Sequence, residues 1–191
     1  MGKRLSIGLI IIFIVFTLRV QSQSGQSQGH GLTISIPEVV MLGLETAGSK
    51  SIVLSPESPN TAGLALDFSN SHNSDLWINY SSIAGAKTGP LRSVTVAVTG
   101  PIPKGVNLKV SASHDAGKGG GAVGVPSGQV ILSAKAQNII TGIGSCYTGA
   151  GVNKGHRLAY SLELKGPDSY AALDYGESTG LTVIYTLTDS K

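Results

Sequence analysis

Between Leu32 and Leu187 the chain repeatedly alternates apolar and polar residues. Period-two alternation is the pattern of strands with one buried and one solvated face. Leu32, Ile34 and Ile36 alternate with Thr33 and Ser35, and Pro37 stops the run. Val39–Leu44 is a short apolar stretch that period alone does not assign, and Leu64–Phe68 alternates weakly. Leu76, Ile78 and Tyr80 share one face of the next run, opposite Trp77 and Asn79. Val94, Val96 and Val98 alternate with Thr95, Ala97 and Thr99. Leu108, Val110 and Ala112 alternate with Lys109, Ser111 and Ser113. Val130–Leu132 and Ile139–Ile143 read as short strands. Leu158, Tyr160, Leu162 and Leu164 oppose Arg157, Ala159, Ser161 and Glu163. Leu181, Val183, Tyr185 and Leu187 alternate with Thr182, Ile184, Thr186 and Thr188.

This predicts about ten short strands at the spacing of a sandwich or barrel. Pro56, Pro59, Gly89-Pro90, Gly100-Pro101 and Gly166-Pro167 mark the turns between them. No window carries a 3.6-residue period, so βαβ units and parallel sheets are excluded. Thr, Ser and Lys on one face, with Val, Leu and Ile on the other, predict antiparallel sheets packed on one side. Two such sheets form an all-β antiparallel β-sandwich, and residues 32–191 read as one domain of that kind.

The N-terminus reads differently. Lys3 and Arg4 precede a short apolar core, Ile7–Leu18, and Val20-Gln21-Ser22 offers a cleavage site. The core is too short to span a membrane and fits a secretory signal peptide, residues 1–22. Residues 23–31, rich in Ser, Gln and Gly, read as a flexible lead-in. The expected location is outside the cytoplasm: secreted, periplasmic or on the cell surface.

The signal also changes the charge. The whole chain has 14 Lys+Arg against 11 Asp+Glu, a formal net charge of +3. Removing Lys3, Arg4 and Arg19 leaves basic and acidic residues equal in number. The remaining basic residues are scattered singly, which argues against nucleic acid as a partner. No further apolar stretch predicts a membrane span in the mature chain.

Candidate chemistry is sparse. His30, His72, His114 and His156 have no second His or Cys at metal-ligand spacing, and read as exposed residues of the lead-in and polar turns. Gly119–Gly124 formally matches G-x-G-x-x-G, but no helix follows and Pro126 comes almost at once. Residues 117–128 read instead as a Gly-rich hairpin loop. Asp168, Asp174 and Glu177 could offer oxygens to Ca²⁺, but lack D-x-D-x-D-G spacing, so solvated turn acids are expected. Cys146 cannot form an internal disulfide and reads as a small buried hydrophobe. No catalytic residue, cofactor or metal is expected. Trp77, Tyr170 and Tyr175 are candidates for stacking on a ligand such as a sugar ring.

Three features together resemble a family. An alternating strand, Leu32–Pro37, follows the leader, and the middle is β-rich in Gly, Thr and Ser. The chain ends Tyr175-Gly176 and then Thr182-Val183-Ile184-Tyr185-Thr186-Leu187. This is similar to bacterial fimbrial (pilin-like) subunits and to spore-coat-protein-U-like secreted sandwiches. The single Cys departs from the disulfide that many fimbrial subunits carry. The resemblance implies an immunoglobulin-like sandwich whose groove or edge receives a neighbour's N-terminal strand. Here the donor would be Gly31–Pro37, with Leu32, Ile34 and Ile36 as anchors. The simpler alternative is that this strand pairs within its own sheet.

The expected function is therefore a non-enzymatic exported structural or adhesive protein. Its partners would be other protein subunits, copies of itself among them, joined by strand addition. A secreted carbohydrate- or ligand-binding sandwich is the alternative, and a sandwich hydrolase ranks last because the acids are dispersed.

Overall fold

The computed structural model describes residues 27–85, 91–176 and 179–189. The proposed signal peptide, the start of the lead-in and Glu177 lie outside the described residues. The chain divides between Ser35 and Ile36 into two units. The described part of the first, residues 27–35, has neither helix nor strand.

The second unit is antiparallel β throughout. Its strands are β1 (Val39–Thr46), β2 (His72–Ile83), β3 (Arg92–Thr99), β4 (Val106–Asp115), β5 (Gly120–Pro126), β6 (Val130–Ile131), β7 (Gln137–Tyr147), β8 (His156–Leu164) and β9 (Thr182–Asp189). A 3₁₀ helix, Pro167–Ala172, lies between β8 and β9. The hydrogen-bonded order is β6-β4-β8-β2-β7-β3-β9, with β1 on β2 and β5 on β7. Two strands change partners along their length. β2 pairs with β8 from His72 to Ile78, then with β7 only at Ser81 and Ser82. β7 pairs with β3 through its first half before reaching β2. The ladder therefore turns a corner and brings β1-β2-β8-β4-β6 against β5-β7-β3-β9, a sandwich-like all-β fold.

The predicted alternation sets the core. Leu76, Ile78 and Tyr80 of β2 meet Val94, Val96 and Val98 of β3. Leu108 and Val110 of β4, Ile139, Ile140 and Ile143 of β7, and Leu158 and Tyr160 of β8 join them, and Val130, Leu132 and Cys146 complete the cluster. Each fully buried Val, Leu or Ile contributes about 1.5–3 kcal/mol relative to exposure.

Three expectations are corrected. Leu32–Ile36 forms no strand: Leu32, Ile34 and Ile36 are 77%, 79% and 77% exposed. Neither the predicted strand nor its pairing within its own sheet is present. The edge of β2 beside Ile83 is taken by β1, which begins at Val39, and Pro37 offers no N–H to extend that ladder. Leu64–Phe68 is not a strand either, its one β contact being an isolated bridge between Glu57 and Asp67.

The third correction is β5. Residues 120–126 are a strand on β7, not a hairpin loop. The glycines are there for close approach. A Cβ on Gly121, which has φ +86°, would sit 2.2 Å from the Ser145 carbonyl oxygen. Only glycine allows both that conformation and that contact, at the point where the β5–β7 register slips.

Candidate functional site

The residues nominated for assembly are Leu32, Ile34 and Ile36. They lie outside every strand with their side chains in solvent. Among the described residues four strands present an unpaired edge: β1 pairs only with β2, β5 only with β7, β6 only with β4, and β9 only with β3.

The nominated aromatics lie on different elements. Trp77 is half-buried on the outer face of β2, opposite Glu45 of β1 and Arg157 of β8. The Arg157 guanidinium lies 5.9 Å from the Trp77 ring centre, so a cation already covers that ring. Tyr170 belongs to the 3₁₀ helix, and its hydroxyl accepts from the Leu66 N–H at 3.3 Å. Tyr175 follows that helix and is fully exposed.

Another arrangement lies on the outer face of β1 and β2. An open groove of about 420 Å³ is lined by Met41, Glu45, Asn79, Ser81, Tyr147 and Ala150, among others. Met41, Ser81 and Tyr147 are side by side across β1, β2 and β7. Gly43 is opposite Asn79 and leaves the floor open, with the Glu45 carboxylate leaning over it. Asn79 Nδ2 donates to the Gly151 carbonyl at 2.9 Å and holds the 149–151 wall in place. Tyr147 is largely exposed. An exposed ring and a carboxylate acceptor lining one groove can stack on and hydrogen-bond a polar ligand.

Two buried polar clusters went unpredicted. Arg92, at the start of β3, is 3% exposed. Its Nε donates to Asp189 at 3.1 Å. Its Nη1 donates to the Val39 carbonyl, the Ser82 hydroxyl and the Ile83 carbonyl at 2.9, 3.0 and 3.2 Å, and its Nη2 donates to Glu38. One guanidinium thus ties together the start of β1 and the ends of β2 and β9. The second cluster is centred on His156, which is fully buried. That corrects its reading as an exposed turn residue. The loop 149–155 delivers it directly into β8, on the same face as Leu158 and Tyr160. Burial holds its imidazole below the ordinary value, against the opposing pull of the Ser113 carbonyl, Asp115 and the Val123 carbonyl.

Both clusters had a sequence signal. Arg92 shares the parity of Val94, Val96 and Val98, and His156 that of Leu158, Tyr160 and Leu162. A polar side chain on the core-facing parity must find partners inside.

Cys146 is buried, and burial, with Asp115 adding, pushes its thiol up to about 11. Asp174 accepts from the Gly176 N–H at 2.9 Å, the contact of a turn acid. Among the described residues no three His, Cys, Asp or Glu side chains gather as an ion-holding group. No described helix is long and apolar enough to cross a membrane.

No family model, curated protein or solved structure matches the chain.

Proposed function

We propose that this is a non-enzymatic exported structural or adhesive surface protein, a fimbrial-type subunit that joins copies of itself by strand addition. The observation that carries the reading is the alternation Leu32, Ile34, Ile36, apolar at every second residue and exposed in a segment without strand partners. An extended segment projects such residues to one face. Added to a sheet edge, it gains main-chain hydrogen bonds, while its alternate side chains fill pockets and set specificity. Burying each anchor contributes about 1.5–3 kcal/mol. The unpaired edges of β1, β5, β6 and β9 are available acceptors. The resemblance at the two ends of the chain supports the same reading.

Light scattering after size exclusion, with electron microscopy, tests it on the protein beginning at residue 23. Assemblies are expected, and replacing Leu32, Ile34 and Ile36 by Ser returns monomers. Monomers in both preparations would overturn the reading.

The groove beside Tyr147 favours a second reading, a ligand-binding sandwich. Binding on a glycan array, abolished by Tyr147→Ala, would support it over assembly.

A further inference from the structure

Four strands converge on His156. The ring belongs to β8. Its Nδ1 lies 2.8 Å from the Ser113 carbonyl oxygen of β4. Its Nε2 lies 2.7 Å from the Tyr80 hydroxyl of β2. That hydroxyl also contacts the Val123 carbonyl oxygen of β5. The two rings stack with centres 5.6 Å apart and planes 14° from parallel.

Counting hydrogens decides what this chain of contacts can do. The Ser113 oxygen can only accept, so Nδ1 carries a hydrogen. In a neutral ring Nε2 is then an acceptor. The Tyr80 hydroxyl has one hydrogen and faces two acceptors, Nε2 and the Val123 oxygen. Whichever it chooses, the other contact sets two lone pairs against each other. A second ring proton removes the conflict. Nε2–H donates to Tyr80 Oη, and the tyrosine hydrogen goes to Val123.

We propose that His156 is a proton-operated switch on the anchorage of β5. Proton uptake by the ring commits the Tyr80 hydroxyl hydrogen to the Val123 carbonyl, fastening β5 to the opposite layer. The process is a protonation and a hydroxyl rotation; no covalent bond other than N–H forms.

β5 is suited to such control. Its pairing in the ladder is with β7, its register slips between Gly121 and Val123, and none of its residues is fully buried. Val123 packs against the core, and the Tyr80 hydroxyl ties the same residue's carbonyl to the other layer.

The groups facing the ring are few. From β4 come Asp115, in register with His156, and His114. From β2 comes Tyr80, which burial keeps protonated, and from β7 comes Cys146, whose raised thiol stays neutral. β5 carries no ionisable side chain. Asp115 Oδ1 is buried without a hydrogen-bond partner, and its carboxylate supplies the charge that offsets an imidazolium. Burial opposes the proton, so the switch operates on the acid side of neutrality.

Nuclear magnetic resonance on the mature protein tests the proposal. The His156 ring carbons and the Val123 carbonyl carbon are followed between about pH 4 and 8, the range over which histidine charge changes. Both should titrate with one midpoint, Val123 moving towards a stronger hydrogen bond as pH falls. In Tyr80→Phe, His156 still titrates, while the Val123 response falls well below that of the wild type, only the direct influence of the ring on that carbonyl being left. Relative to that variant, exchange of the β5 amides should slow about fivefold on protonation, the equivalent of one ordinary hydrogen bond. A Val123 carbonyl that does not titrate, or that titrates equally in Tyr80→Phe, overturns the switch. So does a His156 ring that stays neutral in the folded protein across the range. If Tyr80→Phe does not fold, the wild-type titrations decide alone.

Discussion

Arg92→Met is the substitution from which the structure predicts most. The guanidinium is buried, but its two ionic partners are not: the Glu38 and Asp189 side chains are 71% and 61% exposed. Removing Arg92 therefore strands no buried charge, and the roughly 3–5 kcal/mol typical of breaking a buried ion pair is an upper bound. What it strands is the Ser82 hydroxyl, in a fully buried residue, and the carbonyls of Val39 and Ile83. Each unsatisfied buried group costs about 1–3 kcal/mol, less where water enters. Water reaches the corner from the side of Glu38, so the expected loss is about 2–4 kcal/mol. Arg92→Lys keeps the charge but cannot span the same acceptors and should lose about half as much. Glu38→Gln and Asp189→Asn, at the solvated ends, should each cost under about 1 kcal/mol. Urea unfolding at constant m-value measures all four. Hydrogen exchange should show the loss first at the start of β1 and the end of β9. An Arg92→Met protein within about 0.5 kcal/mol of wild type, the range of ordinary surface changes, would refute the clasp.

Other consequences are more local. Gly121→Ala would push a Cβ into the Ser145 carbonyl and should cost well over the roughly 1–2 kcal/mol of a left-handed residue alone. Gly142→Ala, at φ +75° with open space around it, should cost only that, and equal losses in urea unfolding would contradict the close-approach account of β5. Because burial lowers the His156 imidazole in the folded state, the unfolded chain binds the proton more readily. Stability should then hold above about pH 6.5 and fall as pH drops towards the folded value. Thermal melts of His156→Gln should lose that slope, and an unchanged slope would show that another group is responsible. The Cys146 thiol, buried and raised to about 11, should resist a thiol reagent in the folded protein and react at once in denaturant. Equal rates in the two states would contradict its burial.

Period-two patterning made most of the sandwich legible before any coordinates. β2, β3, β4, β8 and β9 bury the residues that alternation put on one face, because a strand with one solvated side must alternate. β5 was illegible because its residues answer to backbone approach rather than to side-chain burial. Gly120, Gly121 and Gly124 are turn residues by composition and strand residues by contact. The run Leu32–Ile36 shows the converse: alternation marks a segment fit for a sheet, not one that has a partner. At the buried clusters, parity pointed inward at Arg92 and His156. Their acceptors could not be read, since Glu38, Asp189, Ser113 and Val123 are brought in by pairings distant in sequence. The three nominated aromatics belong to different elements, Trp77 to β2, Tyr170 to the 3₁₀ helix and Tyr175 to the segment after it.

Strand addition is tested most directly with its two halves separated. A synthetic peptide of residues 29–38 would be titrated into isotope-labelled protein lacking residues 23–37, and the amide resonances followed. The account predicts saturable shifts along one free edge, β1, β5, β6 or β9, with newly protected edge amides. It also predicts that a peptide with Ser at positions 32, 34 and 36 produces none of this. No shift at any edge, or the same shifts with the Ser peptide, would contradict it.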